Sequence, residues 1–254
     1  MIILCLAGLL RLEAAPQPLK ALLILGGCCH DYATQKEILR EGLEARAHVK
    51  VEVVYSPDTS TKARFNLYEK AGWAAGYDVI IHDECSADVK EMAYVQNILA
   101  AHKSIPAVNL HCAMHSYRTG TDDWFRFVGI QSTSHGPQVP IAIQFAAAEH
   151  PITRGLTNWT TMAEELYNNV KVFETARPLA RGKQMLKQRD GSTKEVEHIV
   201  AWVNDYHGTR VFSTTLGHNN GTVADARYLE LITRGLLWAC NKLNSDYLKP
   251  ESAR

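Results

Sequence analysis

From residue 19 onward, short wholly apolar runs alternate with longer stretches in which apolar residues recur every three or four positions. The run ALLIL at 21–25 contains no polar residue, the pattern of a strand covered on both faces, and it breaks at Gly26 and Gly27. Residues 34–47 carry Ile38, Leu39 and Leu43 on one side and charges on the other, which predicts an amphipathic helix. Further strands are predicted at 49–55, 77–82 and 105–111, with a helix over 88–102 capped by Ser86 or Asp88. This βαβ alternation predicts an α/β fold, a mainly parallel sheet flanked by helices.

Beyond residue 111 the pattern loosens. A short helix is predicted at 122–127, strands at 139–145, 198–202 and 210–216, and an exposed hairpin or loop over the polar stretch 181–197. A final helix over 224–240 places Leu229, Ile232, Leu236 and Trp238 back on the sheet. No repeat and no low-complexity linker divides the chain, so residues 19–241 are read as one domain followed by a tail, 242–254.

The first ten residues are apolar and are followed by Ala14 and Ala15, which predicts a signal peptide over 1–15, although a basic n-region is missing. The run is too short to anchor in a bilayer, so the expectation is an exported, periplasmic protein with no membrane span. Lys+Arg and Asp+Glu balance at 27 each in 254 residues, which leaves no field to attract nucleic acid. Nothing in the chain sets an oligomeric state. Past the leader, Cys28, Cys29, Cys85, Cys112 and Cys240 are odd in number and lack the spacing of a disulfide framework. Adjacent cysteines close only a strained ring, so small buried thiols are expected.

Candidate chemistry collects just after the strands, where open parallel sheets bind ligands. His30 follows the first strand, His82 ends the third, His111 and His115 follow the fourth, and His218 follows a late one. A hydrogen-bonded structural role competes at each position, most strongly at His82, while His48, His102, His150, His198 and His207 read as surface or turn residues. The loop after the first strand lacks the spaced glycines of a dinucleotide fingerprint, so no nucleotide cofactor is expected.

Taken in order, Gly26-Gly27 with His30-Asp31-Tyr32, Leu110-His111, residues 124–129 with Ser134-His135-Gly136, residues 150–156, Glu164-Glu165-Leu166-Tyr167, Leu216-Gly217-His218 and Leu236-Leu237-Trp238 resemble the ThuA-like family, named for trehalose utilisation. The resemblance runs from Leu19 to Trp238 and implies a fold like that of class I glutamine amidotransferases, of the flavodoxin-like kind. In those enzymes a cysteine nucleophile sits on a sharp turn after a strand and a histidine follows a later strand. Here the turn position is His111 and the partner position His218. Cys112 is displaced by one residue, and Asn109 and Ala113 stand where glycines are usual, so working amidotransferase chemistry is not implied.

Two functional readings follow from the resemblance. One is an enzyme acting on a sugar or keto-sugar, with His30, His111, Glu165 and His218 as acid–base groups and Asp31, Tyr32, His115, Trp124, His135, Tyr167 and Asn219 holding the carbohydrate. A divalent, zinc-like metal drawn from His30, His111, His115, His135, Glu165 and His218 suits the same residues, since imidazole and carboxylate are its usual ligands. The other is a carbohydrate-binding or sensing domain without catalysis, in which Trp124, Tyr32, Tyr117 and Tyr167 stack on sugar rings.

Overall fold

Alternate residues of the first strand face two different cores. The computed structural model describes residues 16–250, and the leader expected over 1–15 lies outside them. In β1 (Leu19–Gly27), Ala21, Leu23 and Leu25 join one buried cluster, and Leu22 and Ile24 join another. A strand with period-two side chains does this only when both faces of its sheet are covered.

The covering elements follow from the sequence. Helix α1 (Tyr32–Arg46) starts where the Asp31 carboxylate accepts from the Thr34 backbone N–H at 3.2 Å. It shares one core cluster with α5 (Ala226–Ala239), and α2 (Met92–Ala101) and α3 (Asp123–Val128) contribute to the other. Helix α2 begins later than predicted, because both expected caps are engaged elsewhere. Thr61 donates its hydroxyl to Asp88 at 2.6 Å and Ser86 donates its own to the Ala63 carbonyl at 2.9 Å.

Strands β2 (Val49–Ser56), β3 (Val79–Cys85) and β4 (Ala107–Leu110) join β1 in parallel pairing. The remaining strands are β5 (Ile130–Gln131), β6 (His135–Phe145), β7 (Trp159–Tyr167), β8 (Lys171–Val172), β9 (Arg177–Lys187), β10 (Thr193–Tyr206) and β11 (Thr209–Thr214). The large sheet runs β2-β1-β3-β4-β11-β10-β9-β6-β7, with β5 and β8 paired separately. It is parallel from β2 to β11 and antiparallel from β11 to β7, so the expected mainly parallel sheet describes only half of it.

The antiparallel half was hidden by its polarity. The stretch 181–197, read as a hairpin or loop, forms much of β9 and β10, and its charges are cross-strand ion pairs, Arg181 with Glu197 at 3.2 Å and Lys183 with Glu195 at 3.0 Å. Strand β7 escaped notice because Glu164 and Glu165 interrupt its apolar residues, although both glutamates are buried. Because β4 and β11 are neighbours, everything from β5 to β10 is one excursion of the chain between two adjacent parallel strands. The tail packs back up to residue 250, with the Tyr247 carbonyl accepting from His48 N–H at 2.7 Å and Lys249 N–H donating to the Arg46 carbonyl at 2.8 Å. No helix among the described residues is long and apolar enough to cross a membrane.

Candidate active site

Strand β4 ends in a sharp turn whose first residue, His111, has a φ of +39°, a left-handed conformation that a side chain rarely adopts. Its imidazole is fixed by Nδ1, which donates to the Thr215 carbonyl at 2.6 Å. The other ring nitrogen, Nε2, faces the Tyr167 hydroxyl at 3.2 Å and Glu165 Oε2 at 3.6 Å. The loop after β11 passes close by at Gly217, where φ is +125° and an added Cβ would lie 2.9 Å from the Tyr228 hydroxyl and 3.5 Å from His111 Cβ. Only glycine fits there without displacement.

That loop carries His218 and is clamped from two sides. Gln35 of α1 donates its amide to the carbonyls of Gly217 at 3.3 Å and His218 at 3.1 Å. The buried Glu164 carboxylate of β7 accepts from the backbone N–H groups of His218 and Asn219, each at 3.2 Å. Neighbouring Glu165 points the other way, as adjacent strand residues do. Its Oε1 lies 3.3 Å from His218 Nδ1 and accepts from Gln138 Nε2 at 3.1 Å, and its Oε2 lies 3.6 Å from His135 Nε2. Gln138 is directly opposite Glu165 in the β6–β7 pairing, and its Nε2 also lies 2.8 Å from His218 Nε2.

These contacts set the protonation states. Burial alone would raise the Glu165 carboxyl, but hydrogen bonds and charge from His111 and His218 outweigh it and hold it well below the ordinary carboxylate range. The hydrogen bond to Glu165 raises His218 against the effect of its own burial. His30 packs edge-on to His111 and His218, with ring centroids 4.6 and 4.8 Å away. Burial first, and then the positive charge of those two rings, lowers it to about 2, so it is a neutral base at physiological pH. His115 is lowered to about 3 by burial and then by Arg118. It lies flat on Tyr167 at 3.9 Å, with Nε2 at 2.8 Å from Ser132 Oγ.

His30, His111, His135, Glu165 and His218 thus meet at one edge of the sheet although they come from five separate segments. An open pocket of ≈ 560 Å³ beside them is walled by Cys29, His30, Asp31, His218 and Asn219. Asp31 accepts from Asn220 there, and Asn219 donates its amide to the Ala163 carbonyl. A second cavity of ≈ 450 Å³, near Phe145 and Trp159, holds none of these histidines. One nitrogen from each of His30, His111 and His218 lies within 4.8 Å of the others, a set that could hold a metal ion. Glu165 flanks it, while His115 and His135 stand outside that group of three.

Several expected ligand contacts are absent. Trp124 is fully buried and donates Nε1 to the Ala113 carbonyl at 2.9 Å, supporting the turn after β4 from below. Tyr32 and Tyr117 are buried too, the latter donating to Glu84 at 2.9 Å. Tyr167 is buried under His115 and offers the cleft only its hydroxyl. None of these four rings presents a free face to a sugar. His82 is structural, as its competing reading allowed, and His102 is no surface residue. Their Nε2 atoms lie 2.9 Å apart in the core, and His102 Nδ1 donates to the Ile105 carbonyl.

The cysteines depart furthest from expectation. Instead of unpaired thiols, Cys28 is bonded to Cys29 and Cys85 to Cys112. Gly27 explains the proximity of the pairs. At φ +98° it brings the end of β1 so close to the end of β3 that a Cβ would lie 2.2 Å from the Cys85 carbonyl oxygen, and the next residue, Cys28, sits against Cys85. Gln138 and Glu164 also escaped the sequence reading. The only signal for Gln138 was its place just before a predicted strand, and Glu164 was masked by its acidic neighbour.

An α/β sheet protein with a histidine–carboxylate cleft at the carboxyl ends of its parallel strands is the class these features define. The chain belongs to the ThuA family, described as trehalose utilisation, whose profile matches residues 20–239. Its fold is similar to that of a ThuA-like protein from Parabacteroides merdae (TM-score 0.69, 19% identity, 88% of this chain and 90% of that one). It is also similar to one from Bacteroides uniformis (0.62, 16%, 90% and 94%) and to a GMP synthase component from Thermoplasma acidophilum (0.50, 14%, 89% and 96%). No curated protein sequence matches.

Proposed function

We propose that the protein is an enzyme acting on a sugar or keto-sugar derivative by acid–base catalysis. The observation that carries this reading is the Glu165 carboxylate, held 3.3–3.6 Å from three imidazoles, those of His111, His135 and His218. His111 Nε2, facing the Glu165 carboxylate, takes a proton from a carbon next to a carbonyl, and His218, whose hold on a proton Glu165 strengthens, gives one to the oxygen on which charge develops. Neutral His30 accepts a hydrogen bond from a substrate hydroxyl. A divalent ion on His30, His111 and His218, if bound, would replace that proton transfer with Lewis-acid polarisation of the carbonyl, because a ligating nitrogen cannot also carry a proton.

The family's carbohydrate association supports the substrate class. The likeness to the GMP synthase component supports a glutamine amidotransferase-like fold, with His111 where a nucleophile would stand. A binding domain without catalysis is less well supported, because the aromatic rings it needs are buried. The apolar segment 1–15 supports export to the periplasm, which recovery of the mature protein beginning near Pro16 or Gln17 would test.

The deciding experiment combines metal analysis of the purified protein with a screen of native and 3-oxidised disaccharides, with and without chelator. Turnover of one of them, abolished in Glu165→Gln, is the expected result. A ligand that binds wild type and Glu165→Gln equally well and is never converted would overturn the enzymatic reading.

A further inference from the structure

Four sulfurs stand in a row beside the cleft. Cys29 is bonded to Cys28, Cys28 Sγ lies 3.5 Å from Cys85 Sγ, and Cys85 is bonded to Cys112. Access along the row is graded, for Cys29 is exposed and forms part of the pocket wall, while Cys28, Cys85 and Cys112 are 9%, 4% and 4% exposed. Both ends are joined by a peptide bond to a cleft histidine, Cys29 to His30 and Cys112 to His111.

We infer that this row is a thiol–disulfide exchange site that accepts an electron pair from an external dithiol at Cys29 and passes it inward to Cys112. Thiol–disulfide exchange proceeds by attack of a thiolate on one sulfur and departure of the other. An external thiolate can reach only Cys29. Its attack there forms a mixed disulfide and breaks the Cys28–Cys29 bond, and Cys28 leaves as a thiolate with the bonding pair. Cys28 already faces Cys85, so it attacks that sulfur, forms a Cys28–Cys85 bond and expels Cys112, which takes up a proton. The second thiol of the reductant then attacks its own sulfur in the mixed disulfide and releases Cys29, which takes up the other proton. The reductant leaves as a disulfide. The chain has gained two electrons and two protons, and it keeps one disulfide, now Cys28–Cys85, with thiols at Cys29 and Cys112.

The consequence reaches the histidines. In the starting state the Cys85–Cys112 bond ties the turn bearing His111 to the end of β3. After exchange that tie is gone, and β3 is joined instead to the end of β1 just ahead of His30.

The test is a titration of the full chain in buffers of reduced and oxidised dithiothreitol, followed by alkylation and peptide mapping. Trypsin separates Cys28 with Cys29, Cys85, and Cys112 onto three peptides, bounded by Lys20, Lys36, Lys70, Lys90, Lys103 and Arg118. Apart from label on Cys5 and Cys240, which lie outside the row, the species expected at intermediate poise is alkylated on Cys29 and Cys112 and carries a cross-link between the Cys28 and Cys85 peptides. Alkylation of Cys28 and Cys29 with Cys85–Cys112 intact, or loss of both disulfides with no Cys28–Cys85 cross-link, would overturn the inference. Cys29→Ser gives an independent readout without any reductant. The freed Cys28 should displace Cys112, so within the row alkylation falls on Cys112 with Cys28 and Cys85 cross-linked, whereas alkylation of Cys28 with Cys85–Cys112 intact would count against exchange.

Discussion

His111 Nδ1 lies 2.6 Å from the Thr215 carbonyl oxygen, so the residue at the apex of the β4 turn is held by the strand beside it. A carbonyl only accepts, so Nδ1 carries a proton and Nε2 is the nitrogen left facing the cleft.

Asparagine at this position keeps a donor near that of Nδ1 and tolerates a positive φ, but it has nothing where Nε2 was. His111→Asn should therefore fold with a melting temperature near that of wild type yet lose ligand binding or turnover. His111→Ala leaves the Thr215 carbonyl unpaired in a buried site and should cost about 1–3 kcal/mol as well. Thermal unfolding alongside a ligand assay separates the two. Equal stability of both variants would show that the hydrogen bond does not hold the turn.

Three cleft histidines should titrate in distinct ways in chelator-treated protein. His30 and His115, lowered to about 2 and about 3 by burial first, should show no proton uptake between pH 5 and 8, and His218 should titrate above the usual histidine value. Below pH 6.5 the unfolded chain protonates both lowered residues while the folded protein does not, so they favour unfolding as the pH falls. NMR of the imidazole C–H signals is the check, and a His30 midpoint near 6.5 would contradict the packing described.

Asp83 provides the opposite sign. It is almost fully buried, and burial, then Glu84, raises it well above 3.8, so it stays protonated in the folded chain. Above pH 3.8 the unfolded state releases this proton and the folded state keeps it, so stability falls as pH rises, by at most about 1.4 kcal/mol per pH unit. Asp83→Asn should remove that slope and equal or exceed wild type in stability at pH 7. Urea unfolding at several pH values tests this, and an unchanged slope in the variant would assign the effect elsewhere.

Trp124 separates packing from recognition. Because it is fully buried beneath the β4 turn, Trp124→Phe should lower stability while leaving ligand affinity close to wild type in whatever fraction stays folded. Trp124→Ala should cost about 3–5 kcal/mol. A selective loss of affinity at unchanged stability would restore the aromatic-platform reading.

What the sequence made legible was whatever one local rule controls. The strand ALLIL, the break at Gly26 and Gly27, and the helix after Asp31 each depend on neighbours in the chain, and the histidines after strands were found because strand ends share one edge of a parallel sheet. Trp124 was misassigned because an aromatic near a predicted cleft looks the same in sequence whether it lies above or below the turn. Gln138 and Glu164 depend on the register of β6 and β7, and the paired cysteines on the approach of β1 to β3. Distances of that kind arise between segments far apart in the chain, and no periodicity records them.

The excursion between β4 and β11 supplies one whole side of the cleft. His30, His111 and His218 belong to the parallel half, whereas Glu164, Glu165, Gln138 and His135 all arrive on one contiguous stretch of chain. One insertion thus brings both the carboxylate that faces the imidazoles and the one that clamps the His218 loop, so the two halves of the sheet complete the cleft only together.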